Sequence, residues 1–238
     1  KSKVPIMNSA GGTEVSGSIL HCCLHRPFKV GSFNAPIPGM SADIVDYNGK
    51  KVTQDQLGEL VMRKSSIGLT KSLWEDDKRY LENYWKVING VWVHGDLASK
   101  DKDGHWYLHG RSDDTIKVSG KRIGPSEIES VVVKSGKVKE VAAVGIPDEN
   151  KGSKIILSIV PLESEKNLKE SLFIDLITKD LGKSFKPDRV IFLKDLPKTR
   201  NMKIMRRVIK SCLIKEDPGD ISTLLNPESI EEIKENAI

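Results

Sequence analysis

The chain has 238 residues, 38% of them hydrophobic and 30% charged, with a net charge of +5. That balance belongs to folded globular domains and excludes an extended disordered polymer. No apolar run reaches the roughly 18 residues that a membrane-spanning helix requires, so no membrane partner is expected. Three cysteines, two of them adjacent (Cys22, Cys23), make a poor disulfide framework and point to a reducing compartment, with a cytoplasmic location as the expectation. The opening Lys1-Ser2-Lys3, followed by Val-Pro-Ile-Met, has no apolar leader core and no initiator Met, which suits a fragment or a processed product. Positive charge gathers between Lys179 and Arg207, while residues 216–235 are acidic. A basic stretch fits nucleic acid, a membrane surface or a polyphosphate ligand, and composition does not choose among them.

In chain order, the pattern up to about residue 107 is rich in turns and strands. Residues 18–24 form a short apolar run, 41–47 alternate before the Asn48-Gly49 turn signal, and 58–63 give another strand. Residues 76–85 have helical spacing, with Tyr80, Leu81 and Tyr84 on one face. Residues 91–94 read as a strand ending in a turn at Gly95-Asp96, and 105–109 as a further strand. Beyond Gly110 strands and helices alternate with short connections. Strand 116–118 leads to a polar turn at 120–124. Pro125 opens a helix to Lys134 that Gly136 stops. Strands follow at 138–146, 154–161 and 189–193, with an amphipathic helix at 168–181 and a basic helix at 203–212. The fold class read from this order is α+β. Residues 1–110 form a β-rich part and 111–238 a compact α+β domain, the boundary lying between Arg111 and Asp114.

Four segments carry chemistry. In the first, Asn8-Ser9-Ala10-Gly11-Gly12-Thr13-Glu14, a Gly-rich turn frees backbone N–H groups for an anion, Thr13 adds a hydroxyl and Glu14 can hold Mg²⁺ or water; on these residues alone a plain surface turn is the better reading. In the second, His94-Gly95-Asp96, the Asp at a strand end suits a ribose diol, although Asp is common in turns for local reasons. The third, residues 110–123 continuing through Glu127-Ile128-Glu129, places two Arg and two Lys around tight-turn glycines, which suits phosphate as well as a solvated hairpin with paired charges. The fourth, Leu196-Pro197-Lys198-Thr199-Arg200-Asn201-Met202-Lys203-Ile204-Met205-Arg206-Arg207, puts a lysine at a loop tip where its charge can reach a phosphoryl or carboxylate oxygen; its rivals are a surface helix start and a nucleic-acid footprint. A metal reading of His21-Cys22-Cys23-x-His25 fails on geometry, because neighbouring strand residues point to opposite faces. Trp74, Trp85, Trp92 and Trp106 are expected to pack the β-rich part.

In order and spacing these segments resemble the C-terminal portion of the acyl-adenylate-forming (AMP-binding) superfamily, acetyl-CoA synthetase branch. The segment Gly219-Asp220-Ile221-Ser222-Thr223-Leu224-Leu225-Asn226-Pro227 is similar to that branch's tail, and the resemblance runs nearly end to end. It implies the end of a large N-terminal domain followed by a small mobile domain. It also implies the activation of a carboxylate by ATP to an acyl-adenylate and pyrophosphate, then acyl transfer to the CoA thiol with release of AMP.

Position by position, the resemblance makes Lys203 the lysine that bridges carboxylate and α-phosphate oxygens. It puts Asp96 on the ribose hydroxyls with Arg111 assisting, Thr13 on the α-phosphate after Gly12, Glu14 on Mg²⁺, and Asn8 where the family keeps an Asp near the adenine amine. Asp113 matches the hinge about which the small domain rotates between half-reactions. Gly120 leaves room for the pantetheine arm, Arg122 contacts phosphate, and Lys121 stands where a His is frequent, beside CoA.

Two departures stand out. Asn201-Met202 replaces the usual Ser-Gly before the lysine, which is expected to stiffen the loop. Gly11 stands where acetate-specific relatives place a Trp, which implies an acyl pocket for acids larger than acetate, such as propionate, butyrate or a hydroxy acid. The family's Ser/Thr/Gly-rich phosphate loop does not occur here, so the missing N-terminal domain is an expected partner and the chain alone is expected to be inactive. A carrier-protein thiol in place of CoA and a basic non-catalytic interaction domain remain as alternatives; the tail argues against the first. No nucleic acid partner is expected, and a homo-oligomer stays open.

Overall fold

The computed structural model describes residues 4–165 and 167–237, so the opening Lys1-Ser2-Lys3, on which the leader reading rested, lies outside the described residues. The chain divides into two compact units, Lys1–Asp113 and Asp114–Ile238. The backbone is mixed α and β, as the α+β reading requires. Among the described residues no helix is long and apolar enough to cross a membrane.

In the first unit, β1 (Ser9–Gly12), β2 (Gly17–His21) and β3 (Ala35–Pro36) form one antiparallel sheet; β4 (Ala42–Val45), β5 (Gly58–Met62), β6 (Trp92–Lys100) and β7 (Trp106–Arg111) form another in that order. Ile19, Leu20, Leu60, Met62, Trp92 and Trp106 share its main core. Trp74 does not join it: its side chain is 91% exposed, which corrects the expectation for that tryptophan.

The Gly-rich segment 9–12, read as a turn, is a strand, because pairing with β2 supplies the hydrogen bonds that its own propensity would not. β6 does not end at Gly95-Asp96. Gly95 takes φ +86°, and the pairing with β7 shifts register between Asp96 and Ala98, so the strand bulges and continues. The helical stretch begins as α1 (Asp77–Tyr80), with the Asp76 carboxylate accepting from Arg79 N at 3.1 Å, and widens into a π-helical turn over Leu81–Trp85. Leu81 faces outward, while Tyr80 stays buried.

The second unit is a three-layer sandwich. Its sheet runs β10 (Val138–Asp148), β11 (Gly152–Pro161), β12 (Arg189–Phe192), the first pair antiparallel and the second parallel. The parallel step needs a crossover, which α3 (Glu170–Leu181) supplies. Alternate residues of β10 and β11 face opposite layers. Ala143, Ile155 and Leu157 pack with α2 (Pro125–Lys134) and α3, whereas Ala142, Val144 and Ile156 pack with α4 (Arg206–Leu213) and α5 (Ser229–Glu235). Covering on both faces explains why β10 is nearly all apolar.

β8 (Ile116–Val118) and β9 (Lys121–Ile123) form a separate hairpin. Pro125 opens α2 as expected, and Glu127 accepts from Gly124 N at 3.2 Å. The basic helix starts at Arg206, three residues later than its charge pattern suggests, because residues 198–204 fold back on themselves with Lys198 bridged to Ile204.

The two helix layers meet around the outer edge of β10. The Arg206 guanidinium donates twice to Glu129 of α2, at 2.9 and 2.7 Å, and Glu129 also accepts from the Ala143 N–H of β10 at 2.9 Å. The two side chains are only 23% and 12% exposed. Removing one partner strands a largely buried charge and an edge amide. Glu129→Ala is therefore expected to cost about 2–3 kcal/mol of stability, somewhat below the loss of a fully buried pair. Urea unfolding of the full chain measures it; a change under about 0.5 kcal/mol, the ordinary effect of a surface substitution, contradicts the anchoring role.

Candidate functional site

The first unit gathers a row of polar side chains at the end of its sheets. Thr13 opens a short 3-10 turn, Thr13–Val15, directly after β1. The Glu14 backbone carbonyl accepts from Thr70 N at 2.7 Å, and its carboxylate accepts from the Tyr84 hydroxyl at 3.1 Å. Tyr84 stacks on Trp92 with ring centroids 5.3 Å apart and 7° between planes, and Trp92 lies 5.9 Å from the His94 ring. Burial, followed by the Glu14 charge and its hydrogen bond, pushes the Tyr84 phenol upward, so it stays a donor.

Gly12 sits between Glu14 and His94. A Cβ there would meet Glu14 Oε2 at 3.0 Å and His94 Nε2 at 3.6 Å. The other ring nitrogen, His94 Nδ1, is 2.8 Å from Asp96 Oδ2. Opposite Asp96 on β7 stands Arg111, whose Nη1 is 3.8 Å from Asp96 Oδ1 and donates to the His94 carbonyl at 3.1 Å. Its Nε donates to Asp113 at 3.2 Å. Gly95 is favoured by its φ of +86°, and a Cβ there would also press on the Arg111 guanidinium at 2.7 Å.

The structure thus brings Gly12, Glu14, Asp96, Arg111 and Asp113 into one continuous row, with Thr13 at its start. Asn8 is held to one side, its amide nitrogen donating to the Ser32 carbonyl at 3.2 Å.

β2 approaches Gly11 closely. An added Cβ would lie 2.0 Å from the Gly17 carbonyl oxygen and 2.5 Å from Ser18 Cα, at the register shift between β1 and β2. The β2 backbone therefore bounds the space at Gly11 on that side.

In the second unit the third motif forms a two-residue hairpin. Ser119 (φ +50°) and Gly120 (φ +80°) both occupy the left-handed region that such a turn demands, between the paired Val118 and Lys121. A Cβ on Gly120 would meet nothing within 4 Å. Lys121 donates to Ser184 Oγ at 3.0 Å, and Arg122 lies exposed on β9.

The fourth motif is a second hairpin. Thr199 N donates to Lys203 O at 2.9 Å, Met202 N to Thr199 O at 2.8 Å, and Lys203 N to Thr199 Oγ1 at 3.2 Å. This is the pattern of a three-residue loop whose last residue is left-handed, and Met202 takes φ +62°. Met202 therefore occupies a backbone region that favours glycine. Lys203 follows it, exposed, with no ion pair among the described residues.

Several members of these clusters have no functional role assigned in the sequence reading: Tyr84, Trp92, His94, Glu59 and Ser112. Glu59 had the faintest signal, a single carboxylate in an otherwise apolar strand. It is buried in β5 and accepts from Ser112 Oγ at 2.7 Å. Burial pushes its carboxyl up from the ordinary 4.5, against the opposing pull of the Ser112 hydrogen bond and the Arg111 charge. Among the described residues no group of three or more His, Cys, Asp or Glu could hold a metal ion. Glu14 supplies one carboxylate, which fits Mg²⁺ held through few protein ligands plus waters and substrate phosphates.

An exposed lysine on a hairpin, a glycine-turned basic hairpin and Asp96 beside a Thr-Glu turn are the features on which the resemblance to adenylate-forming proteins rests. Residues 127–203 match the AMP-binding enzyme C-terminal domain, and the chain belongs to the acyl-adenylate-forming superfamily as its C-terminal portion. It is 38% identical to the acetyl-coenzyme A synthetase of Methanothrix thermoacetophila over 97% of its own length and 36% of that protein. To the acetyl-coenzyme A synthetase of Pasteurella multocida it is 37% identical, over 99% of the chain and 37% of the relative. The chain thus spans about a third of the length of the curated relatives it matches. Its fold superposes on acetoacetyl-CoA synthetase from Streptomyces lividans with a TM-score of 0.84 at 24% identity, covering 96% of this chain and 35% of that one. The anthranilate CoA ligase AuaEII in complex with anthranoyl-AMP gives 0.74 at 28% identity, over 87% of this chain and 40% of that one.

Two substitutions follow from this geometry. Met202→Gly is expected to stabilise the chain by about 0.5–1 kcal/mol, the cost of a left-handed non-glycine residue less glycine's greater unfolded-state entropy. Met202→Val should do the opposite, and urea midpoints that move the other way refute the assignment.

For Glu59, a carboxyl raised on folding contributes stability that is fully present below its unfolded value near 4.5 and is lost as pH rises through the folded one. Glu59→Gln keeps an oxygen for Ser112 and cannot ionise. Its stability relative to wild type should climb with pH from about 4.5 towards neutrality and level off, whereas a pH-independent difference rules out a raised carboxyl.

Proposed function

We propose that the protein carrying this chain is an AMP-forming acyl-CoA synthetase: a carboxylate and ATP give an acyl-adenylate and pyrophosphate, and the CoA thiol then takes the acyl group and releases AMP. The observation that carries the reading is the Asp96 carboxylate, which lies between His94 and Arg111 at a strand bulge in the same row as the Thr13-Glu14 turn. A carboxylate that only accepts hydrogen bonds, set at a β bulge, suits the two hydroxyls of a ribose. The names of the relatives support the same class.

Each residue then has a defined task. Asp96 accepts from the ribose hydroxyls and Arg111 holds it in place. Thr13 donates to the α-phosphate just past the end of β1 at Gly12, and Glu14, oriented by Tyr84, holds the Mg²⁺ that neutralises phosphate charge. The Asn8 amide oxygen accepts from the adenine amine, its nitrogen being committed to Ser32. Lys203 brings its ammonium to the carboxylate and α-phosphate oxygens, stabilising charge and fixing the angle of attack. Gly120, with open space where a Cβ would stand, clears a path for the pantetheine arm, with Lys121 and Arg122 on CoA phosphate. Asp113 is the hinge between the two half-reactions.

An acid larger than acetate is the proposed substrate. The missing side chain at Gly11 supports it, although the Gly17 carbonyl bounds the space on one side. A cytoplasmic location and a homo-oligomer belong to the same proposal.

The test is carboxylate-dependent AMP formation by the whole protein with ATP and CoA across C2 to C8 acids, beside Lys203→Ala. The variant is expected to lose pyrophosphate exchange while still converting supplied acyl-adenylate to acyl-CoA, and the 238-residue chain by itself is expected to give no exchange. Turnover on none of the acids rejects the function. A tenfold preference for acetate over C4 acids, worth about 1.4 kcal/mol, rejects the chain-length proposal alone.

A further inference from the structure

The hairpin that presents Lys203 is fastened at its base to a buried polar cluster. Lys198 is 4% exposed. Its Nζ donates to Asp195 Oδ1 at 2.6 Å and to both Glu140 oxygens at 2.9 Å. Burial by itself draws the Lys198 ammonium down, but the Asp195 and Glu140 hydrogen bonds outweigh it and leave the group raised, so it is cationic at neutral pH.

The Lys198 backbone is engaged on both sides. Its N–H donates to Asn226 Oδ1 at 3.0 Å, and its carbonyl accepts from Leu225 N at 2.8 Å. Asn226, itself buried, donates through Nδ2 to Asp195 Oδ2 at 2.7 Å and to the Leu196 carbonyl at 2.8 Å. Thr199 bridges to Leu224 as Lys198 bridges to Ile204. The tail is therefore pinned to the base of the hairpin, and Thr199 hands that order on to Lys203 through both its amide and its hydroxyl.

A buried lysine with two carboxylates is a poor way to gain stability, since apolar residues of the same volume do as well or better. What such a cluster supplies is a single register, because every donor and acceptor must meet its partner at once. We propose that Lys198, with Glu140, Asp195 and the tail residue Asn226, is a positioning group that fixes the Lys203 hairpin for the adenylation step. This rests on the reading of Lys203 as the charge-stabilising lysine. None of the four touches substrate in the proposal; they act through the backbone of residues 198–203.

Two variants test it. Lys198→Met combined with Glu140→Leu removes the brace and leaves Asp195, whose side chain is 40% exposed, with its Asn226 hydrogen bond, and Asn226→Ala cuts only the tail link. Hydrogen exchange on the full chain reads the brace directly. The Met202 and Lys203 amides should exchange about tenfold faster or more, while amides of β10 and β11 change by less than about twofold. In the whole protein, pyrophosphate exchange should lose about 10- to 100-fold in kcat, the scale of a misplaced catalytic group, with KM for ATP and thioester formation from supplied acyl-adenylate within about twofold.

Wild-type exchange of the hairpin amides and wild-type adenylation in both variants overturn the proposal. If the double variant unfolds, Asn226→Ala, which keeps the ion pairs, decides. If Lys203→Ala leaves adenylation intact, the functional reading fails instead. The hairpin amides then report on the brace separately.

Discussion

Whatever Lys203 does depends on two cations, Lys198 buried and Arg206 largely so, one on each side of it in sequence and both tied to carboxylates at the edge of β10. Arg206 is held by Glu129, which also caps the Ala143 amide, and Lys198 is held by Glu140 of β10 itself. An exposed lysine loop between two such anchors has its ends fixed while its tip stays in water. That resolves a conflict built into the role. A charge meant for a ligand must remain unpaired in the protein, yet a long flexible side chain on a loose loop would lose its positioning to entropy. The anchors place the order in the backbone and leave the ammonium free. The outer strand of the sheet gains as well, because the Ala143 edge amide is satisfied by a side chain and is not left open to another chain.

The first unit solves a related problem with aromatic packing. Glu14 is oriented by a tyrosine hydroxyl, the tyrosine lies flat on a fully buried tryptophan, and the same tryptophan abuts His94, whose far nitrogen faces Asp96. A shift in this one stack would move two carboxylates together. Their spacing is thus a property of the core and not of the loops that carry them. Glu59 stands apart. It is buried near Arg111 and Asp96, but its direct partner is the Ser112 hydroxyl, and burial dominates its titration. A carboxyl with a neutral partner costs stability when ionised, and it fixes Ser112 just before Asp113, where the two compact units divide.

Much of this was legible in the sequence, for physical reasons that differ by element. The nearly all-apolar β10 announced a strand covered on both faces, and the Pro-in, Gly-out signals around α2 reflect a helix end that local chemistry alone decides. The residues of the polar row were legible as motifs, since Thr13, Glu14, Asp96 and Arg111 come in a specific order. What joins them was not. Tyr84 and Trp92 looked like core, and nothing local says that a phenol on a helix meets a carboxylate 70 residues earlier. The strand at 9–12 was hidden because glycines form strands only where a partner imposes one. α5 was hidden because its acidic start shows no cap, and its Ile230 and Ile233 are called into a helix by the core they meet. The basic stretch after Lys203 did suggest a helix, but three residues of it belong to the hairpin, whose closure depends on tertiary bonds that no periodicity reveals.

The Asn201-Met202 pair shows how the anchors and the loop chemistry combine. A glycine at 202 would take φ +62° at no steric cost, whereas methionine there is strained. In a loop tied at one end only, the chain would relieve that strain by leaving the left-handed region, and Lys203 would swing with it. Here Thr199 grips Lys203 at both amide and hydroxyl, Lys198 is locked below, and Arg206 is locked beyond. Relief would break several bonds at once, so the backbone holds its shape and the strain is paid from stability, not geometry. The substitution is therefore tolerable only in a hairpin braced on both sides, and the brace is what keeps Lys203 in place once the glycine is gone.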